Sequence, residues 1–384
     1  MSKPRTRPAF TLFFPLAALL AAVAVPLSMF AMLSGTGWPA GLVGVGHGFE
    51  LIFGFALALI AGYTLGPQPA RVLYPLIVLW LAARLLRIPF PDHPLALPLA
   101  AAFALLLAWH VVPRFRAARQ WRNKSTGPLI LTLCLLPLCW LLLMLIWHRW
   151  PELAASIDLN LSRLMHAGVL CLLLLMSFIG GRLIAPAAAI TLEQQGVEPR
   201  ARLQPRLEGA LIILLGLAIL ALLVPILSDD YSYPLAGGAL LATGMVLLVR
   251  NIRWQLWRCG SRPDLLGFGM GYLWLALGSL ATGLAFVGQR PAVSALHLIT
   301  VGGLGTLSTS VMLRLYFQRG FKTPPATGWV LWTVGLIAVA VVCRFMAGDT
   351  PLARPVLLSL SAGSWAVAYL SLAVLMVRLG WRLK

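Results

Sequence analysis

Apolar residues in this chain come in long unbroken blocks. They do not alternate in twos, and they are not confined to one helical stripe. Blocks of spanning length fall at about 9–34, 42–65, 71–88, 94–112, 128–147, 160–185, 209–227, 233–250, 265–287, 291–314, 327–346 and 354–378. A helix of some twenty apolar residues matches the hydrocarbon thickness of a bilayer. A strand in lipid would leave its backbone groups without partners, so each block is read as a helix. The pattern predicts an all-α polytopic membrane protein with twelve transmembrane helices in one integral membrane domain over 1–384. The block at 71–88 is the shortest.

Composition agrees with this. The chain is 60% hydrophobic and 11% charged, more apolar surface than a soluble domain of this length could bury. The net charge of +19 is scattered through short loops, which argues against a nucleic-acid partner. It does orient the helices. With the N-terminus cytoplasmic, the outer connections hold seven of the 30 basic residues: Arg84, Arg87, Arg149, Arg163, Arg290, Arg344 and Arg354. The remainder fall inside, a positive-inside bias that places both termini in the cytoplasm. Part of that charge is expected to hold anionic lipid headgroups. The start, MSKPRTRPAF, has no convincing small-residue cleavage site and reads as the lead-in to an uncleaved first helix. Five cysteines form no CxxC pair, which argues against disulfides and a zinc knuckle.

In this topology the second, sixth and tenth helices all run inward. Each carries a histidine near its start: His47, His166 and His297. Each lies about 8 Å inside the outer boundary at the helical rise. Each helix is four spans from the last, which suggests a pseudo-threefold arrangement of four-helix units. On the sixth and tenth helices an inner arginine, Arg182 or Arg314, follows about 25 Å below the histidine. Neutral imidazole is a strong ligand for metals and haem iron. Two histidines could bracket a haem, and a third could hold copper or face the site. Glu50 lies one turn below His47, where it could accept the other imidazole N–H and orient the ring. The plainer reading is that each histidine only bonds a neighbouring helix. Ionisable groups within a membrane are costly, and three at one depth weigh towards function.

Other features are weaker. His148 and His110 read as interfacial anchors, and His93 lies in an outer connection. Cys171 and Met176 suit soft copper but also suit packing. Gly54, Ala58, Gly62 and Gly66, like Gly302, Thr306 and Ser310, recur every four residues. Such stripes either let helices approach closely or leave room for a flat porphyrin. Gly180 and Gly181 would loosen the sixth helix. Arg182 and Arg314 are candidates for a lipid phosphate or a haem propionate, or are ordinary interfacial arginines.

Four blocks carry a family resemblance: RPAFTLFFPLAALLA, HGFELIFGFALALIAGY, HAGVLCLLLLMSFIGGRLIAP and ALHLITVGGLGTLSTSVMLR. In this order the chain resembles the NnrS family of bacterial inner-membrane proteins. The resemblance implies a twelve-helix protein holding haem and copper, linked to the nitric oxide response, with His47, Glu50, His166, Arg182, His297, Gly302 and Arg314 at motif positions. Two family histidines are replaced here, by Phe49 and Gly269, which implies a reduced ligand set. The layout is also similar to the catalytic subunit of haem-copper oxidases. That likeness suggests His47 and His297 as axial ligands of a haem b, with His166 facing the site. The seventh helix has no histidine, so an oxidase-type three-histidine copper centre cannot be built.

The leading expectation is therefore a multi-pass protein of the bacterial inner membrane that binds haem, and in the family pattern copper. Its partners would be the bilayer, a diatomic ligand such as nitric oxide, and a respiratory-chain protein. A proton-coupled secondary transporter with Glu50 as a relay is the second reading, and an assembly or scaffold protein for a respiratory enzyme the third. No residues mark a catalytic acid or base.

Overall fold

The computed structural model describes residues 6–119, 124–152, 160–200, 204–225, 227–349 and 352–381. The basic termini Lys3, Arg5, Arg382 and Lys384 lie outside them. Among the described residues the chain forms α1 (Phe10–Leu33), α2 (Val45–Thr64), α3 (Ala70–Arg87), α4 (Ala96–Arg116), α5 (Thr126–Arg149) and α6 (Leu161–Gln194). There follow α7 (Pro205–Leu223), α8 (Asp229–Arg253), α9 (Pro263–Val287), α10 (Val293–Phe321), α11 (Thr327–Asp349) and α12 (Arg354–Trp381).

Eleven of these helices are long and apolar enough to cross a membrane. The exception is α3, an 18-residue helix that carries Arg71, Arg84 and Arg87. The sixth block was expected to end near residue 185, but α6 continues to Gln194. At 1.5 Å per residue its 34 residues reach about 51 Å, well beyond a hydrocarbon core. Pro186 within it, like Pro15 and Pro26 within α1, does not end the helix.

The chain divides into two units. The first is Met1–Gly168 with Trp365–Lys384, and the second is Val169–Ser364. In the first unit a short antiparallel ribbon joins β1 (Thr6–Pro8) to β2 (Pro67–Pro69), with Arg7 opposite Gln68. It ties the start of α1 to the turn after α2. The small-residue stripe of α2 is a packing seam. A Cβ at Gly62 would lie 2.5 Å from the Phe14 ring, and one at Gly54 would lie 2.9 Å from Leu20. Gly62→Leu should therefore lower stability by about 1–3 kcal/mol, read from thermal unfolding in detergent. The indole of Trp365 donates to the Ala21 carbonyl (3.0 Å), which anchors the end of α12 on α1.

In the second unit, α8 and α9 meet through Gly237 and Gly283. A Cβ on either would come within 2.9 Å of the other's carbonyl oxygen. Helices α9 and α10 run antiparallel: Gly267 adjoins Ser310, Gly271 adjoins Leu307 and Gly278 adjoins Ile299.

The helices bearing His47 and His297 share a local departure. In α2 one α-helical turn, Val45–Phe49, passes into a seven-residue π-helical segment, Glu50–Ala56. In α10 the turn Val293–His297 passes into the π segment Leu298–Leu304. The wider winding adds residues per turn and re-aims the side chains around it, and such segments concentrate at functional sites.

Candidate functional site

The first unit brings two of the three histidine stretches together. His47 and His166 are both half-buried. A Cβ on Gly48 would lie 3.3 Å from the Met165 sulfur, and one on Gly168 would lie 3.4 Å from Ile52. The sequence neighbours of the two histidines therefore pack face to face.

Glu50 behaves differently from expectation. The sequence reading placed its carboxylate under the His47 imidazole. In the structure Oε2 pairs with Arg84 Nε at 2.6 Å, and Oε1 accepts from Arg87 Nη1 at 2.9 Å. The Glu50 side chain is 0% exposed, and the two arginines are 4% and 5% exposed. Both arginines come from the last turn of α3. Arg84 Nη1 also donates to the Phe53 carbonyl (3.3 Å), and Arg87 Nη1 to that of Gly41 (3.4 Å). Nearby, the Trp80 indole donates to the Gly54 carbonyl (2.9 Å). These carbonyls belong to or precede the π segment, where the backbone ladder is loosened. The α3 side chains thus hold the irregular part of α2 in place.

Phe49 is fully buried. Its ring packs edge-on against Phe53 (4.9 Å) and Trp140 (5.0 Å), and the Arg87 guanidinium lies 3.7 Å from its centroid. The position expected to carry a family histidine is here an aromatic platform for a buried cation. Phe49→Leu should lower stability by about 1–2 kcal/mol, measured by thermal unfolding.

In the second unit His297 is half-buried, and its Nδ1 lies 2.5 Å from the Val293 carbonyl. A carbonyl can only accept, so Nδ1 carries a proton, and in the neutral ring the lone pair is then on Nε2. That is the tautomer in which imidazole binds a metal, with its other nitrogen held by the backbone. The expected stripe at Gly302 and Ser310 is filled by neighbouring side chains and backbone. A Cβ on Gly302 would meet the Trp274 ring at 2.8 Å, and Ser310 adjoins Gly267. At Gly302, as at Gly54 and Gly62 of α2, close helix packing takes up the space that the small residue leaves.

At Gly269 a side chain would have to displace the end of Leu256. A Cβ there would lie 2.5 Å from Leu256, and its carbonyl accepts from Asn251 (3.3 Å). Arg314 lies 3.7 Å from the Asp264 carboxylate and donates to Gln318 (3.3 Å). Asp264 is chelated by Arg262 through two contacts of 2.9 Å, which push the Arg262 guanidinium further up from its ordinary value. Arg182 is half-buried, with its guanidinium 5.8 Å from the Phe178 ring. Cys171 and Met176 are buried in packing, His148 is exposed, and His93 accepts the Leu95 amide (3.2 Å). Among the described residues no group of three His, Cys, Asp or Glu side chains could hold a metal ion.

The sequence reading missed a second buried network. Glu208 at the start of α7 pairs with Arg250 near the end of α8 at 2.5 Å. Arg250 also donates to the Tyr272 hydroxyl (2.9 Å) and the Ser177 carbonyl (3.0 Å), and Tyr272 donates to the same carbonyl (3.0 Å). The Trp254 ring lies edge-on to Tyr272 at 4.7 Å. Gly181 allows this approach, since a Cβ there would collide with the Arg250 guanidinium and Glu208. Its absent side chain makes room for a cation rather than loosening the helix. The Gly180 surroundings lie outside what is described.

The backbone bond at His297 Nδ1 gives that imidazole the orientation a haem or metal ligand needs, and within the first unit the His47 and His166 stretches pack together. No curated protein matches the chain. The model of the NnrS protein family matches residues 5–383. The match takes in both histidine-bearing π helices and both buried ion-pair networks, and the chain belongs to the NnrS family.

Proposed function

We propose that this multi-pass membrane protein binds haem through histidines at the starts of α2, α6 and α10 and serves the bacterial response to nitric oxide. The observation that carries the reading is the His297 Nδ1 bond to the Val293 carbonyl, immediately before a π-helical segment. It is supported by the side-by-side His47 and His166 stretches and by family membership. His297 and His47 would hold the iron of a haem b, with His166 facing it. Bound there, haem would supply a redox-active iron able to take a diatomic ligand.

The chain's own residues do the positioning. The Val293 carbonyl orients the imidazole of His297. Glu50, Arg84 and Arg87 fix the π segment after His47, and Phe49 packs its buried ring against Phe53 and Trp140. A copper site would need a ligand cluster in addition, and Phe49 and Gly269 are both committed to packing. Our topology has twelve spans, including α3, with both termini cytoplasmic in the bacterial inner membrane and a respiratory-chain protein as partner. The transporter reading is less favoured, because both Glu50 oxygens are taken by arginines rather than offered to His47 as a relay.

The test is pyridine-haem and metal analysis of protein purified after expression with ample haem. The reading expects haem b near one equivalent per chain. Haem-free protein that is folded and stays haem-free on reconstitution would overturn it.

A further inference from the structure

The first unit holds a charge that none of its described residues neutralises. Arg84 and Arg87 supply two cations and Glu50 one anion, all within the protein interior. Two positive charges and one negative leave an excess of +1. Arg84 Nη2 and Arg87 Nε are buried with no hydrogen-bond acceptor among the described residues. The Phe49 ring beside Arg87 offers a π face, which attracts the cation without accepting its remaining N–H. Guanidinium groups donate only. A group that completes this cluster must therefore accept hydrogen bonds and carry negative charge. An uncompensated buried cation is costly, the more so in a membrane setting.

We propose that Arg84 and Arg87 form a binding site for one small oxyanion or carboxylate, held beside Glu50 one helical turn from His47. The planar N–H edges of guanidinium match two-oxygen anions better than spherical ones. Glu50 sets both the position and the charge of the site. It clamps the two arginines and leaves a single positive charge, so a monovalent anion neutralises the cluster and a dianion overshoots. The same chemistry has two sources: a free anion of the size of nitrite or formate, and a carboxylate carried by a bound cofactor. The site stands on the charge imbalance alone and does not depend on the haem reading.

The test is the unfolding temperature of the full-length protein in detergent, titrated with nitrite and with formate at an ionic strength held constant with gluconate. Haem-depleted protein should show a saturable rise with either probe. Arg84→Gln keeps the Glu50–Arg87 pair and balances the charge, and should weaken the midpoint about tenfold or more. Arg84→Lys keeps the charge but loses the planar donor edge, and should weaken it by a smaller factor. Arg262→Gln, in the second unit, should leave it unchanged. A response in haem-depleted protein that vanishes on haem loading identifies a cofactor carboxylate as the natural occupant. A response in both forms identifies a free anion. No saturable response in haem-depleted wild type overturns the proposal. So does an equal response in Arg84→Gln and Arg84→Lys, which would mark an adventitious ion only.

Discussion

Arg250→Met is expected to lower stability by about 3–5 kcal/mol, because it leaves Glu208 buried and uncompensated. Arg250 is 1% exposed and Glu208 2% exposed, so water cannot take over the lost partner. The Ser177 carbonyl, within α6, also loses one of two donors, and the Tyr272 hydroxyl loses the cation beside it. Methionine keeps most of the stem volume, so the loss is electrostatic rather than a cavity. The double variant Arg250→Met/Glu208→Leu should recover most of the stability, since apolar replacement of a whole buried pair is often neutral or better. Denaturant unfolding of the single and double variants in detergent checks both. Equal stability of wild type and Arg250→Met would show that the pair is not buried as described.

Glu50→Leu is expected to cost about 3–5 kcal/mol for the mirror-image reason, leaving two guanidinium groups without a carboxylate. The consequences reach α2, because Arg84 and Arg87 also donate to the Phe53 and Gly41 carbonyls. Arginines that repel one another would release these bonds, and the π segment after His47 would lose its lateral support. Glu50→Leu should therefore increase hydrogen exchange over Glu50–Ala56 as well as lowering the unfolding temperature. Glu50→Gln should fall between, since an amide oxygen still accepts from one arginine but carries no charge. Unchanged exchange in Glu50→Leu would contradict the bracing role.

The helices were legible in the sequence because lipid removes most alternatives: long apolar blocks had to be helices, and their ends agree with the structure within a few residues except at the C-terminal ends of α6 and of α10, which runs on from 314 to Phe321. The shortfall at α6 arose because Ala185–Gln194 continues the helix past the apolar block, where hydropathy no longer reports it. The third block was legible as a helix, while its three arginines set it apart from the other spans.

The neighbourhood of the His47 and His166 stretches was also legible, since rise per residue converts position along a helix into height. The same arithmetic applied to arginines would have found the partner of Glu50. Helices α2 and α3 run in opposite directions, so the last turn of α3 lies level with the first turns of α2. Arg84 and Arg87, three residues apart, face that level. They had been sorted only as charges that orient the chain. Glu208 and Arg250 follow the same rule, one at the start of α7 and the other near the end of the antiparallel α8. The π segments had no signal in hydropathy, because an added residue per turn changes winding without changing composition. The glycine stripes were ambiguous in sequence and resolve as packing seams once Phe14, Leu20 and Trp274 are seen to fill them.

The central claim is that the histidines of α2 and α10 ligate haem iron, and the most direct measurement is the absorption spectrum of reconstituted wild type beside His47→Ala, His166→Ala and His297→Ala. The account predicts a low-spin haem band in wild type. It predicts loss or a high-spin shift of that band in His47→Ala and His297→Ala, with partial recovery on adding free imidazole, and a smaller perturbation in His166→Ala. A wild-type spectrum without a haem band, or one that all three variants leave unchanged, would contradict it.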